Sequence, residues 1–247
     1  MYKTIADFFI DSNTVDFVDE KEYAVIDSIV ASVESMVRTT GSGVYLLDYY
    51  KKNVIYVSEN IRIWSGMDAV ELLKTGLSAY LNYIPNDDLE MLSEINDAAF
   101  RFWSRLPADE WYNYVNSYDF RYHNFMLNQR FTPVIMKNGR IWIGMCTVSM
   151  SSQNEPGNII MKNVADGKMY EYSRESKRWI LLPPIVLSDK EKNIIRYSGQ
   201  GLSSAEIGEK LRVSMETVRS QKKKLFKKLQ VNSMTEAIIF VSSNDLL

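Results

Sequence analysis

Six basic side chains lie within ten residues near the end of the chain, at Arg219, Lys222–Lys224 and Lys227–Lys228, and no acid interrupts them. Cations this close repel one another unless an anion neutralises them. DNA phosphates do this, and the release of condensed counterions then favours binding. A solvated lysine-rich helix surface is the ordinary alternative. The run therefore indicates a polyanionic partner only if the surrounding elements present it suitably.

Short capping signals predict three helices around this run. Ser188 and Glu191 have the spacing of a capping box for the first helix. Ser203 or Ser204 begins the second, and Ser214 begins a third that continues to about residue 229. This arrangement is typical of a helix-turn-helix, in which the last helix enters a DNA groove.

The third predicted helix has one apolar and one polar face. Val218, Leu225 and Leu229 have helical spacing and are expected to be buried. The remaining arc is polar and basic, and its front can reach base edges in a major groove. The residues predicted to meet DNA are Ser203, Ser214, Thr217, Arg219, Ser220, Gln221, Lys223, Lys224 and Lys227.

Four stretches resemble the LuxR-type helix-turn-helix, also called the GerE or NarL type: LSDKEKNII (187–195), GLSSAEIGEKL (201–211), VSMETVRS (213–220) and LFKKLQV (225–231). The resemblance implies a four-helix domain over residues 185–247. Its third helix would enter the major groove, and its fourth, around residues 236–237, often dimerises. It further implies a homodimer on double-stranded DNA, with RNA polymerase as a candidate further partner.

Four positions depart from the family or need an explanation. Gln221 and Lys224 stand where histidine and asparagine are usual, so the target sequence stays open. Gly208 replaces the usual alanine, at a helix-propensity cost of about 1 kcal/mol at most. Glu206 matches the family's acid in helix two, where capping or an ion pair is expected.

Composition and charge divide the chain in two. Its 247 residues, 46% of them apolar, favour two globular domains. Residues 187–247 hold 11 Lys and Arg against 7 Asp and Glu, whereas the preceding part is acidic. The single cysteine and single histidine argue against a Cys/His zinc site. The lone cysteine and the absence of an apolar span favour a cytoplasmic protein without membrane contact.

The N-terminal part does not show the pattern of a phosphoreceiver, which needs an acidic pair after a first strand, an aspartate after a third and a lysine after a fifth. It shows instead two strands (43–48, 53–58), helical signals (59–102, including 76–83) and three strands (118–125, 130–137, 140–150). This order resembles a PAS domain over residues 41–152. YVSENI (56–61), IPNDDL (84–89) and YDFR (118–121) are similar to PAS stretches.

The fold class expected is therefore α+β: a PAS-like five-stranded antiparallel sheet with helices, a small β meander and a C-terminal all-α four-helix domain. The meander and linker occupy residues 153–184. An amphipathic helix at 20–38, within the N-terminal segment 1–40, either packs on its own domain or makes a two-fold contact with a second copy.

No cofactor is predicted, but an unknown small molecule is a candidate ligand of the PAS-like domain. Trp64, Tyr83 and Trp103 are weak candidates to line its pocket, although such aromatics are more often core. Cys146 is expected to be a small buried hydrophobe. His123 is expected in a strand, not as a haem ligand.

These features predict a DNA-binding transcription regulator whose PAS-like domain senses a signal or mediates dimerisation. The alternative is a cofactor-bearing sensor whose terminal module contacts protein more than DNA. No catalytic constellation or phosphate-binding glycine loop favours an enzyme.

Overall fold

The computed structural model describes residues 8–9, 13–75, 81–244 and 246–247. The chain forms two compact units, Met1–Leu182 and Pro183–Leu247. Part of the predicted helix at 76–83, residues 76–80, lies outside the described residues. No helix in the described part of the chain combines the length and the apolarity needed to cross a membrane.

The first unit is built on one antiparallel sheet. Its strands are β1 (Gly43–Asp48), β2 (Asn53–Val57), β3 (Tyr114–Tyr122), β4 (Phe125–Lys137), β5 (Arg140–Met150), β6 (Gly157–Asn163), β7 (Met169–Ser173) and β8 (Arg178–Leu181). Their order in the sheet is β2-β1-β5-β4-β3-β6-β7-β8. The strands β1 and β2 form one hairpin and β4 and β5 another, and Asn138–Gly139 closes the second with φ values of 52° and 73°.

The expected five-stranded sheet with a separate meander is wrong, because β6–β8 continue the same sheet beyond β3. An unpaired edge at β3 would leave its N–H and C=O groups without partners, and β6 supplies them. Asp119 of β3 links both neighbouring strands. Its carboxylate accepts hydrogen bonds from Asn128 of β4 and Asn158 of β6, both at 2.9 Å.

The turn between β3 and β4 corrects a second expectation. His123 lies in a turn and not in a strand, with a φ of +50°, and the strand predicted to reach Phe125 ends at Tyr122. A positive φ is what tight hairpin connections require. The exposed His123 ring stacks on Tyr83, with 4.0 Å between the ring centroids.

Helices cover one face of the sheet and enclose the main core. They are α2 (Arg62–Ser65), α3 (Ala69–Thr75) and α4 (Asn86–Trp103). The apolar residues of α4 recur at helical spacing, and Leu92, Ile95 and Ala99 are buried in this core. Asp88 fixes the start of α4 to β3: it accepts bonds from the backbone N–H and the guanidinium of Arg121, each at 2.6 Å.

The N-terminal amphipathic stripe packs on the other face of the sheet. Helix α1 (Ala24–Thr40) follows a 3₁₀ turn at Glu20–Tyr23. Val33 and Val37 are buried in a cluster with Val44 and Leu46 of β1. Of the two arrangements predicted for the stripe, packing on its own domain is observed.

The second unit consists of four helices, α5 (Asp189–Gly199), α6 (Ser204–Leu211), α7 (Met215–Leu229) and α8 (Met234–Ser243). Its core holds Ile195 of α5, Leu225 and Leu229 of α7, and Ala237 of α8. The capping box predicted at Ser188 is present. The α+β class with a C-terminal helical domain is confirmed.

Candidate nucleic-acid interface

A serine cap begins each of the helices α6 and α7, and one glycine lets the turn between them close tightly. Ser203 begins α6, and its box with Glu206 gives that acid the capping role expected of it. These hydrogen bonds hold the pKa of Glu206 below its usual range. A Cβ added at Gly208 would lie 2.7 Å from the carbonyl oxygen of Val213. The glycine thus permits a close approach of the turn.

Helix α7 begins where predicted and buries the predicted side. The Ser214 hydroxyl accepts a hydrogen bond from the Thr217 backbone N–H at 3.1 Å. Val218, Leu225 and Leu229 are buried, with exposed fractions of 0%, 0% and 2%. Because one face of the helix is fixed against the core, the opposite arc must face outward.

The outward arc carries three lysines without a carboxylate partner. Lys223, Lys224 and Lys227 are exposed, and no ion pair involves them within the described part of the chain. Arg219 is exposed and lies 3.6 Å from Glu216 of the preceding turn. Such an exposed pair is weak and exchanges readily for a phosphate. Lys222 is half-buried, and this burial lowers the pKa of its ammonium.

One cation of the run is already neutralised, which the sequence did not indicate. Lys228 contacts both carboxylate oxygens of Glu191 at 2.9 Å. Burial alone would raise the pKa of Glu191, but bonds from Lys228 and Ser188 outweigh it and the pKa is lowered. The two residues are far apart in sequence, so no local spacing signals the pair. Lys228 therefore helps hold α7 against α5 and is not a free cation.

The predicted polar contacts mostly occupy one stretch of helix. Ser220 is exposed, while Thr217 and Gln221 are half-buried beside the lysines on α7. Ser214 is the N-cap of the same helix, and Ser203 is the N-cap of the preceding one. The structure thus brings eight of the nine predicted residues to α7 and its cap. It presents a basic, hydrogen-bonding surface of the kind that meets phosphates and base edges.

The first unit contains a second feature of interest, a cavity of about 80 Å³ between the sheet and α4. Its lining is mainly aromatic and aliphatic, and includes Trp103. The other two weak ligand candidates are not among its lining residues: Trp64 packs edge-on against Phe125, and Tyr83 stacks on His123.

Most polar groups of the cavity wall bind one another. The Tyr45 hydroxyl donates to Gln129 Oε1 at 2.9 Å, and the Gln129 amide donates to the Tyr118 hydroxyl and, at 3.7 Å, to Cys146 Sγ. Cys146 is 1% exposed, which confirms it as a small buried side chain. Burial raises the pKa of its thiol to about 12.

The fold and the basic helix define the second unit as a helix-turn-helix domain. Residues 185–241 match the family described as bacterial regulatory proteins, luxR family. The C-terminal unit is therefore a LuxR-family helix-turn-helix domain, as its motifs indicated.

Curated relatives match the same part of the chain. The fimbriae Z protein of Salmonella typhimurium strain LT2 is 38% identical over 61 residues, which are 25% of this chain and 29% of the relative. The fimbriae Z protein of Escherichia coli strain K12 is 39% identical over 62 residues, 25% of this chain and 30% of the relative. The chain thus spans less than a third of the length of these relatives.

Solved structures align over more of the chain, but weakly. A phage VqmA–DPO complex has a TM-score of 0.32 and 16% identity, with 88% of each chain covered. Escherichia coli SdiA has a TM-score of 0.27 and 14% identity, covering 89% of this chain and 91% of its own.

Proposed function

We propose that the protein is a sequence-specific DNA-binding transcription regulator that acts as a homodimer. The observation that carries this proposal is the outward face of α7, where Lys223, Lys224 and Lys227 are exposed without a carboxylate partner. Three neighbouring lysines that repel one another gain most from a polyanion. The family match at residues 185–241 supports the same function.

The polar side chains of α7 supply candidates for sequence reading. Thr217, Ser220 and Gln221 lie near the start of the helix, with Lys224 one turn further along. Their hydroxyl, amide and ammonium groups match the donors and acceptors of base edges in a major groove. The exposed Arg219, Lys223 and Lys227 would bind phosphates and set the position of the helix on the duplex.

A homodimer gives this small surface its specificity. A single helix reads only a few base pairs, whereas two copies read two half-sites about one helical turn apart. The second half-site then binds at a high effective concentration. We expect a two-fold operator, with RNA polymerase as a candidate further partner.

We further propose that the first unit is a PAS-like domain that senses a signal or arranges the dimer. Two strands, helices and three strands follow one another between Gly43 and Met150. Two of the PAS-like stretches also meet, because Asp88 of IPNDDL (84–89) binds Arg121 of YDFR (118–121). The three added strands β6–β8 are an extension of that core.

Genome-wide mapping of bound DNA tests the regulator directly, because it yields the operator and the neighbouring genes together. Fluorescence anisotropy with that operator and a scrambled duplex should then separate two kinds of variant. Gln221→Ala should change the preference at one base position, and Lys227→Ala should weaken both duplexes equally. Lys74→Ala, at an exposed lysine of α3, is the matched control and should change neither. Binding to the two duplexes with equal affinity would contradict sequence-specific recognition.

A further inference from the structure

We propose that the cavity of the first unit binds a small uncharged molecule that carries both a hydrogen-bond donor and an acceptor, held by Asn116 and Trp103. This inference rests on the proposal that the first unit senses a signal, and it names the chemical class of that signal. It depends on four features of the cavity: its two unpartnered polar atoms, the hydrogen bonds that already join most of its other polar groups, its lack of charge and its size.

Two buried polar atoms in the cavity wall have no hydrogen-bond partner within the described protein, Oδ1 of Asn116 and Nε1 of Trp103. Both residues line the cavity, and they are only 2% and 0% exposed. Buried polar groups in native proteins are nearly always paired, so each such atom needs an explanation. One is an acceptor and the other a donor, and a single ligand with the opposite pair satisfies both.

Most of the remaining polar wall is already hydrogen-bonded. Tyr45, Gln129, Tyr118 and Cys146 form one hydrogen-bonded group. Asn96 also lines the cavity, and its amide donates to the carbonyl oxygen of Phe8 at 3.0 Å. A ligand would therefore pair with Asn116 and Trp103 without displacing existing hydrogen bonds.

The charge of the wall restricts the ligand to neutral molecules. None of the described lining residues is Asp, Glu, Lys, Arg or His. An ion placed there would lose its hydration without gaining a partner charge, which is a large cost in an apolar site. Amides and five-membered azoles carry the donor and acceptor side by side without a net charge.

The size of the cavity restricts the ligand further. A cavity of about 150 Å³ holds benzene, and this one measures about 80 Å³. The fitting class is therefore a compact molecule smaller than benzene. Pyrazole meets all three requirements, since it is uncharged at neutral pH and has adjacent N–H and N groups.

Calorimetric titration of the full chain tests this with pyrazole against 1-methylpyrazole, which lacks the donor. We expect pyrazole to bind at least about tenfold more tightly, the effect of one hydrogen bond to a buried partner. In Asn116→Leu the preference should vanish. Asn60→Leu, the same change at a half-buried asparagine outside the cavity lining, should retain it.

A second measurement does not depend on the folding of the Asn116 variant. The five tryptophans give five indole N–H resonances, and Trp103→Phe identifies the one that belongs to Trp103. Pyrazole should move this resonance downfield, as a new hydrogen bond does, and leave the Trp179 indole, which donates to the Ala98 carbonyl, in place.

Two results would overturn the proposal and assign the cavity to bound water. One is equal binding of the two azoles. The other is no binding and no shift at 20 millimolar pyrazole, which is on the order of the weakest affinity expected for so few atoms. Operator binding measured on the same sample keeps the two proposals apart. Intact DNA binding with no azole binding removes only the ligand. Azole binding without DNA binding removes only the regulator.

Discussion

Replacing Lys223 by alanine offers the sharpest test of the DNA interface, because the structure fixes how many free cations each copy presents. Lys223, Lys224 and Lys227 are exposed and unpaired in the described chain, whereas Lys228 is neutralised by Glu191. In the proposed dimer, α7 therefore brings six unpaired lysines to DNA, three from each copy. Lys223→Ala removes two of them without touching the buried face of α7.

The expected magnitude follows from counterion release. With Arg219, Lys223 and Lys227 of each copy on phosphates, the proposed dimer makes six phosphate contacts. Six contacts give a slope of log affinity against log salt of about −5.4, and the four that remain in the variant give about −3.6. Between 50 and 200 millimolar salt the parent should then lose roughly 1,800-fold in affinity, and the variant roughly 150-fold. The difference between the two proteins is thus largest at low salt and shrinks as salt rises.

Fluorescence anisotropy on one operator duplex at four or five salt concentrations measures both slopes. The control is the double variant Glu191→Gln with Lys228→Gln, which removes a bonded pair of opposite charges and leaves the net charge unchanged. Its slope should equal that of the parent. An unchanged slope in Lys223→Ala would refute the assignment of this lysine to a phosphate, and an unchanged slope in Arg219→Ala and Lys227→Ala as well would refute the interface.

Three further predictions concern stability and reactivity. Asp88→Ala should lower the free energy of unfolding in urea by about 2–3 kcal/mol, because it leaves the Arg121 bonds unmade, whereas Asp87→Ala, at the exposed partner of the same guanidinium, should cost clearly less. Equal losses would contradict this account. Glu191→Gln should be less stable than the parent at pH 7, with a difference that disappears as the pH falls below about 4. The sign follows because the pKa of Glu191 is lower in the folded protein than its unfolded value of about 4.3, so the ionised carboxylate favours folding above that pH. A difference in stability that does not change with pH would exclude the ionisation of Glu191 as its cause. The Cys146 thiol, with its pKa raised to about 12 by burial, should react with a disulfide reagent at pH 8 about a hundredfold more slowly in the native protein than in urea. Rapid labelling of the native chain would show that the thiol is accessible.

The second unit could be predicted from the sequence almost element by element, because its signals are local. Each helix start depends on a serine and on a backbone N–H three residues later, as at Ser188, Ser203 and Ser214. The buried face of α7 repeats at helical spacing within the helix itself. Such patterns need no knowledge of the rest of the chain.

The first unit was predicted less completely because its features depend on distant residues. The β meander that forms β6–β8 could be seen in the sequence, but the pairing of β6 with β3 joins residues 38 to 49 positions apart. The turn at His123 has none of the usual turn residues at its positive-φ position. In the second unit, the contact between Lys228 and Glu191 likewise joins two helices and has no local signature.

The two candidate sites differ in the same way, and this explains why only one was found from the sequence. The DNA interface lies on one helix, so its charge, its period and its cap all occur within sixteen residues, Ser214 to Leu229. The cavity draws its wall from α4 and from several strands of the sheet. Asn116 lies in the middle of β3, where a polar residue ordinarily faces water. Only the pairing of β3 on both sides and the packing of the core around it make this amide a buried group without a partner. A polar residue in a strand therefore becomes a binding candidate through its tertiary surroundings, which no local pattern in the sequence records.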